Sequence, residues 1–304
     1  MLFAVTCYAQ ESQTQYNFLR LPSGAHAAAL GGENITLIED DPSLMFSNPA
    51  LAASVSDMSI GLNYMNYMSG ANYASASFTK AMKGKATLAG GVQYINYGKM
   101  KEVDENNIQK GEFSANDIAL NAILSYQLGK NLVGGITAKF ITSYLADYNS
   151  VAVGVDLGIN YYDPEREWSV SAVAKNLGGE VKAYNEDYGK MPFDLQIGVS
   201  KTVTGAPFRI SATLTDMTHY DYRFINHLNL GLDILLSNQI WIGGGYNFRR
   251  ADEMTIQSND EESTHGAGLS LGAGVNLDRF KLNVAYGKYH VSSSSLLVSV
   301  ALAL

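Results

Sequence analysis

Charge is scarce in this chain. Only 16% of its 304 residues are Asp, Glu, Lys or Arg, against about 25% in a typical soluble protein, so a charged-surface globular enzyme is a poor fit. Long apolar runs are missing as well. Hydrophobic residues make up 46% of the chain, yet no stretch approaches the ~20 consecutive apolar residues of a membrane-crossing helix. There is no basic excess: 21 Lys and Arg face 29 Asp and Glu, for a net charge of -8. Nucleic acid is therefore not an expected partner, because its binders carry a basic patch. Cysteine occurs once, at Cys7, which excludes an internal disulfide framework. Proline (6) and tryptophan (2) are rare, whereas glycine (29) and tyrosine (19) are abundant. Length alone, at roughly 150 residues per domain, would suggest two domains.

The first residues read Met-Leu-Phe-Ala-Val-Thr-Cys-Tyr-Ala. Leu2 to Val5 is an apolar run, and Cys7 and Ala9 sit at the small-residue positions of a signal-peptidase site. With no basic segment before it, residues 1–9 are expected to be the remnant of a secretory signal. An ordinary N-terminus and a lipoprotein cysteine at Cys7 are the weaker readings.

From about residue 57 apolar residues occupy every second position. Ile118, Leu120, Ala122, Leu124, Tyr126 and Leu128 do so, as do Val151, Val153, Val155, Leu157, Ile159 and Tyr161. Period two marks a strand with one apolar face. Fourteen such strands are predicted, near 58–68, 72–79, 86–97, 113–128, 131–142, 148–161, 168–176, 192–200, 208–215, 227–236, 240–248, 266–277, 280–287 and 295–304. Their other faces carry Gly, Ser, Asn and Asp, too small and too polar for a sandwich core. Segments of about ten residues, apolar outside and polar inside, are the signature of a transmembrane β-barrel, and only closure satisfies every strand in lipid. A soluble sandwich or propeller is the competing reading. The fold class is thus all-β, a 14-stranded antiparallel transmembrane β-barrel over residues 57–304. Tyr64, Tyr94, Tyr126, Tyr144, Tyr161, Trp168 and Tyr246 are placed for an aromatic girdle. Connections alternate short and long, which puts both termini in the periplasm and the long loops outside.

Residues 10–56 do not alternate. They contain Ala28-Ala29-Leu30-Gly31-Gly32 and Asn48-Pro49-Ala50. A fourteen-stranded barrel is too wide for its own side chains to fill, so this small-residue segment, Asn48 and Pro49 included, is expected to plug it.

The polar strand faces carry Asp117, Lys139, Asp156, Lys175, Asp194, Arg209 and Asp233, alternating in sign from strand to strand. Asp117 and Lys139 lie toward the outer end, as do Lys175 and Asp194. Arg209 and Asp233 lie toward the periplasm, with Asp156 near the middle. Opposite charges on neighbouring strands favour pairing, so a charge-compensated interior is expected rather than the single-sign constriction of a selective pore.

No catalytic motif survives scrutiny. Gly268-Leu-Ser270-Leu-Gly272 fits a nucleophile elbow, but that motif needs a strand-turn-helix and here lies inside alternation. His26, His219, His227, His265 and His290 lack ligand spacing. His290 with Ser292–Ser295 could only weakly suggest a hydrolase, and the acidic loop of Asp252, Glu253, Asp260, Glu261 and Glu262 a weak Ca²⁺ site. No catalytic residue, metal or cofactor is expected. The long loops are rich in the residue types of protein interfaces: Tyr184, Tyr188, Met191, His219, Tyr220, Tyr222, Arg223, Phe224, Arg249 and Arg250. Either they bind a partner or they pack on one another over the barrel mouth.

The plug segment resembles the N-terminal hatch of the FadL-like outer-membrane barrels. More closely, the chain resembles the PorV/PorQ family of the type IX secretion system. The residues that carry this include Tyr64-Met-Asn-Tyr-Met-Ser-Gly-Ala, Lys175-Asn-Leu-Gly-Gly, Phe224-Ile-Asn-His, Gly244-Gly-Tyr-Asn-Phe-Arg-Arg and Tyr286-Gly-Lys-Tyr-His. The resemblance implies the outer membrane of a Bacteroidetes-type Gram-negative bacterium. It implies a non-enzymatic anchor for a PorZ-like surface protein, beside a PorU-like sortase and a PorV-like barrel that attach cargo to lipopolysaccharide. A FadL-like transporter for hydrophobic compounds is the other function the resemblance allows. The terminal Leu304 departs from the aromatic that usually ends such barrels.

Overall fold

A computed structural model describes residues 14–304 except 69, 83, 107, 238, 259–260, 264–265 and 291–292. Residues 1–9, read as a signal remnant, lie outside the described residues. Fourteen strands close into an antiparallel barrel. They are β1 (Ser59–Met68), β2 (Ala71–Ala81), β3 (Ala86–Val103), β4 (Gln109–Gln127), β5 (Leu132–Leu145), β6 (Tyr148–Asp163) and β7 (Trp168–Lys182). After these come β8 (Asp194–Thr202), β9 (Phe208–Leu214), β10 (Leu228–Leu235), β11 (Ile240–Asn247), β14 (Leu269–Asn276), β15 (Phe280–His290) and β16 (Ser293–Ala303). The ribbon closes where β1 pairs with β16, from Ser59 opposite Ala303 to Asn66 opposite Leu296. A small hairpin, β12 (Ile256–Ser258) with β13 (Glu261–Ser263), stands apart. No helix among the described residues is long and apolar enough to cross a membrane.

The alternation in sequence becomes an inverted protein. Leu120, Leu157, Ile159, Leu232, Leu271 and Leu296 point out and are exposed, while Ser75, Ser77, Asn121, Asn160, Ser211 and Ser299 point in and are buried. With lipid as the outer solvent this costs nothing, because every strand has two hydrogen-bonded neighbours. Tyr126, Tyr161 and Trp168 ring the short-turn end, and Tyr64, Tyr144 and Tyr286 the other, all exposed.

The strands outrun their apolar signal. β3 and β4 pair as far as Val103 and Gln109, well past the predicted 97 and 113. Their extension carries charge on both faces, including Lys99–Glu112 at 3.1 Å and Lys110–Asp104 at 3.3 Å. Backbone pairing continues there without period-two hydrophobicity. β7 also runs past 176, but through a break. The β6–β7 register shifts between Val155 and Leu157, and Asn176 takes φ +59. β7 pairs with β8 only up to Lys175 opposite Asp194. The stretch expected to be loop at 249–265 begins with a helix, α2 (Phe248–Glu253), whose N-cap Asn247 accepts from Arg250 N at 2.8 Å.

The segment ahead of β1 occupies the space that the strands enclose. Its helix α1 (Ala25–Ala29) packs on β14 and β15, and its 3₁₀ turns Pro42–Phe46 and Pro49–Ser54 pack on β1, β2, β4, β5 and β6. Leu30, Leu37, Leu44 and Leu51 form the apolar heart of this segment. Asp41 and Asn48 cap the two turns, accepting from Ser43 N and Ala50 N at 2.9 Å each. Ser125 Oγ donates to Ala50 O at 3.2 Å, and Asn48 Nδ2 donates to Ile35 O at 3.1 Å and Ile159 O at 3.4 Å. Gly135 and Gly158 sit where Pro49, Ala50 and Asn48 press on the wall, leaving no room for a Cβ.

Candidate functional site: the occupied lumen

Two charge clusters tie the N-terminal segment to the barrel wall. In the first, His26 of α1 is fully buried. Its Nδ1 lies 2.7 Å from Glu39 and its Nε2 2.9 Å from Asp233 of β10. Arg209 of β9 reaches the same two carboxylates, at 2.6 Å from Glu39 and 2.7 Å from Asp233. The imidazole stacks flat on Trp241 of β11, with centroids 3.5 Å apart and planes 6° from parallel. Two cations thus face two anions, one of each from the β9–β10 wall and one of each from the inner segment. Burial by itself would lower the His26 pKa, but the Glu39 and Asp233 carboxylates overcome it and lift it to about 9. Burial likewise works to raise Glu39, yet His26 and Arg209 hold it well below the usual carboxylate range.

The second cluster centres on Asp216, beside the long-loop end. Arg20 donates to it at 2.7 Å, Arg249 of α2 also binds it, and His219 Nδ1 lies 2.8 Å away. Asp216 N donates back to Asp194 at 2.6 Å. Burial opposes ionisation of Asp216, but Arg20 and Arg249 keep its pKa below the ordinary value.

The lumen charges anticipated from sequence fall in three groups. Arg209 pairs with Asp233 across β9 and β10, and Lys139 with Asp156 across β5 and β6 at 2.8 Å. Lys139 also donates to Asn176 Oδ1 at 2.6 Å, and Asn176 N donates to Asp156 at 2.7 Å, so this pair braces the β7 bulge. Asp117 does not pair with Lys139. It accepts from Tyr97 at 2.7 Å and from Ser143 instead, because Lys139 lies opposite Asn121, four residue pairs down the strand. Lys175 faces Asp194 in register but approaches Glu33 of the inner segment, at 3.9 Å, while Asp194 accepts from Gln196 at 2.7 Å. Part of the compensation therefore comes from the segment inside, which the strand pattern alone could not contain.

Between the second cluster and the Gly31–Gly32 turn lies a cavity of about 190 Å³, lined among others by Pro22, Glu33, Arg250, Met254 and Tyr289.

No family model matches the chain, and no curated protein does. Solved structures do. A deletion mutant of the TodX monoaromatic hydrocarbon channel aligns over 92% of this chain and 99% of its own, at 14% identity and a TM-score of 0.64. The Pseudomonas putida toluene transporter TodX gives 92% and 96%, 14% identity and 0.58. A Pseudomonas aeruginosa FadL homologue gives 92% and 98%, 11% identity and 0.57. The fold is that of the FadL-like outer-membrane barrels.

The long loops of this FadL-like barrel are less available than their composition suggests. Arg250 and Met191 are buried, which corrects their reading as partner-binding residues. Met191 turns inward against Gly154, and Arg250 is held by backbone carbonyls 267–269. Tyr184 bonds Ser143, His219 is paired with Asp216, and Tyr222 lies under the Arg249 guanidinium at 4.6 Å. Tyr188, Tyr220, Arg223 and Phe224 remain exposed, Tyr220 at 90%. Ser270 of the apparent elbow is in strand β14 and accepts from Arg250 at 2.6 Å. In the acidic loop, Asp252 accepts from Asn226 and Glu253 from Arg249, while Asp260 is outside the described residues, as is Ser292. His26, Glu39, Arg20 and Asp216 were missed as anchors. The one signal was a histidine in the apolar, alanine-rich run Ala25–Leu30, where burial demands a partner.

Proposed function

We propose that this barrel passes small hydrophobic molecules across the outer membrane, and that its N-terminal segment is the hatch that must shift for them to pass. One observation carries the reading. The lumen holds a continuous stretch of chain that packs against inward strand side chains such as Met65, Tyr73 and Ile141 and is tied to the wall through side-chain ion pairs and hydrogen bonds rather than strand pairing. Such a filling can move while the barrel stays closed on itself. The similarity to hydrocarbon channels over 92% of the chain supports it, as does the β7 bulge, where strand pairing to β8 stops. The test is entry of labelled toluene into vesicles that contain the purified barrel. Entry several-fold above protein-free vesicles is expected, and equal rates would overturn the reading.

A second reading is a surface anchor for a PorZ-like protein in the outer membrane of a Bacteroidetes-type cell, in a complex with a PorU-like sortase and a PorV-like barrel. Its support is the exposed set Tyr188, Tyr220 and Phe224 at the loop end. Co-purification of such a partner, lost on Tyr220→Ala with Phe224→Ala, is its expected sign. Unchanged recovery would remove it.

A further inference from the structure

The cavity at the Gly31–Gly32 turn contains an unmatched cation. Arg250 is 7% exposed. Its Nε donates to Ala267 O at 2.7 Å, and its Nη2 donates to Gly268 O at 3.1 Å and Ser270 Oγ at 2.6 Å. Among the described residues its Nη1 has no hydrogen-bond partner, and neither has the buried hydroxyl of Tyr289. Both line the cavity. They also converge, since a Cβ built on Gly32 would lie 3.4 Å from each of them. The carboxylates along the same wall are already committed: Asp216 to Arg20 and Arg249, Glu253 to Arg249, Glu33 to Lys175 and Gln196, and Asp194 to Gln196 and the Asp216 amide. Among the described residues Arg250 forms no ion pair. A buried guanidinium without a counter-charge is costly to keep, and a buried donor without an acceptor adds to that cost.

We propose that this cavity binds the carboxylate of a compact organic acid. One carboxylate oxygen accepts from Arg250 Nη1 and from the Tyr289 hydroxyl, supplying the missing charge and the missing acceptor together. Pro22 and Met254 offer apolar wall to the rest of the molecule. A volume of about 190 Å³ admits a single-ring or short-chain acid. The positions of the donors are fixed in advance. Asn247 caps α2 on Arg250 N and donates to Gly31 O at 3.2 Å, and the guanidinium lies 4.6 Å over the Tyr289 ring. Gly32 belongs to the inner segment, Arg250 to helix α2 and Tyr289 to strand β15. An occupant therefore bridges the inner segment to these two elements and steadies the segment in place by mass action.

The binding does not depend on the transport reading and is measured without it, by calorimetry on the full-length barrel in detergent micelles. Benzoate is the probe, benzamide its uncharged isostere, and inorganic phosphate the competing anion. Saturable benzoate binding is expected, at least about tenfold tighter than benzamide. Tyr289→Phe keeps the ring under the guanidinium and should weaken benzoate about tenfold while leaving benzamide within threefold. Phosphate should displace benzoate poorly. No benzoate binding, equal binding of the two probes, an unchanged affinity in Tyr289→Phe, or displacement by equimolar phosphate would each overturn the assignment.

Discussion

Raising the pH should unclip α1 from the barrel wall, and Trp241 should report it. His26 lies between Glu39 and Asp233 at 2.7 and 2.9 Å, with Arg209 as the second cation and Trp241 as the stacking floor. Its pKa in place is about 9, against an ordinary 6.5. A raised value means that the folded contact prefers the protonated ring. Its contribution is complete below pH 6.5, falls as the pH rises through 9, and is gone above that. The difference corresponds to about 3 kcal/mol. At the acid end Glu39 titrates well below the usual range, so the latch survives mild acid. An imidazolium stacked on an indole quenches its fluorescence. The chain has two tryptophans, and Trp168 stands exposed beside Lys201 at the short-turn end. In a Trp168→Phe variant, Trp241 emission should therefore rise with a midpoint near pH 9 and stay flat when His26→Gln is added. A midpoint at or below 6.5, or the same curve in the double variant, would refute the reasoning.

Other outcomes follow from the same contacts. Lys139→Met strands Asp156, whose partner is 2.8 Å away and only 4% exposed, and should cost about 3–5 kcal/mol in urea unfolding of the micellar barrel. Arg209→Met leaves Glu39 and Asp233 with His26 alone, and should speed proteolysis of the N-terminal segment while the heat-modified gel shift of the folded barrel persists. Gly158→Ala places a methyl group against Asn48 and Pro49 and should loosen that turn by about 1–3 kcal/mol, read as faster amide exchange at Ala50.

The barrel was legible because lipid on one side and a polar lumen on the other impose a strict period of two. Val151 to Tyr161 shows this without interruption. The ends were less legible wherever pairing continues in water, as in the Lys99–Glu112 extension. Cross-strand charges could be anticipated when both partners sit on adjacent strands, as with Arg209 and Asp233. The contacts of the inner segment could not. His26 and Asp233 are 207 positions apart, and nothing periodic links an alanine-rich helix to a strand. Arg250 was misleading for a related reason. After Tyr246-Asn247 it reads as a loop cation, but helix α2 turns its side chain back under the 267–269 backbone.

The central claim is that the inner segment must move for a molecule to pass. A reversible staple tests it most directly. A Cβ built on Gly61 of β1 lies 3.3 Å from Pro42 Cβ, close to the roughly 3.5–4.5 Å that a disulfide spans. With Pro42→Cys and Gly61→Cys in a Cys7→Ala background, oxidised barrels in vesicles should admit labelled toluene no faster than protein-free vesicles. Reduction should restore the unstapled rate. Equal entry before and after reduction, with the cross-link verified by mass, would contradict the account.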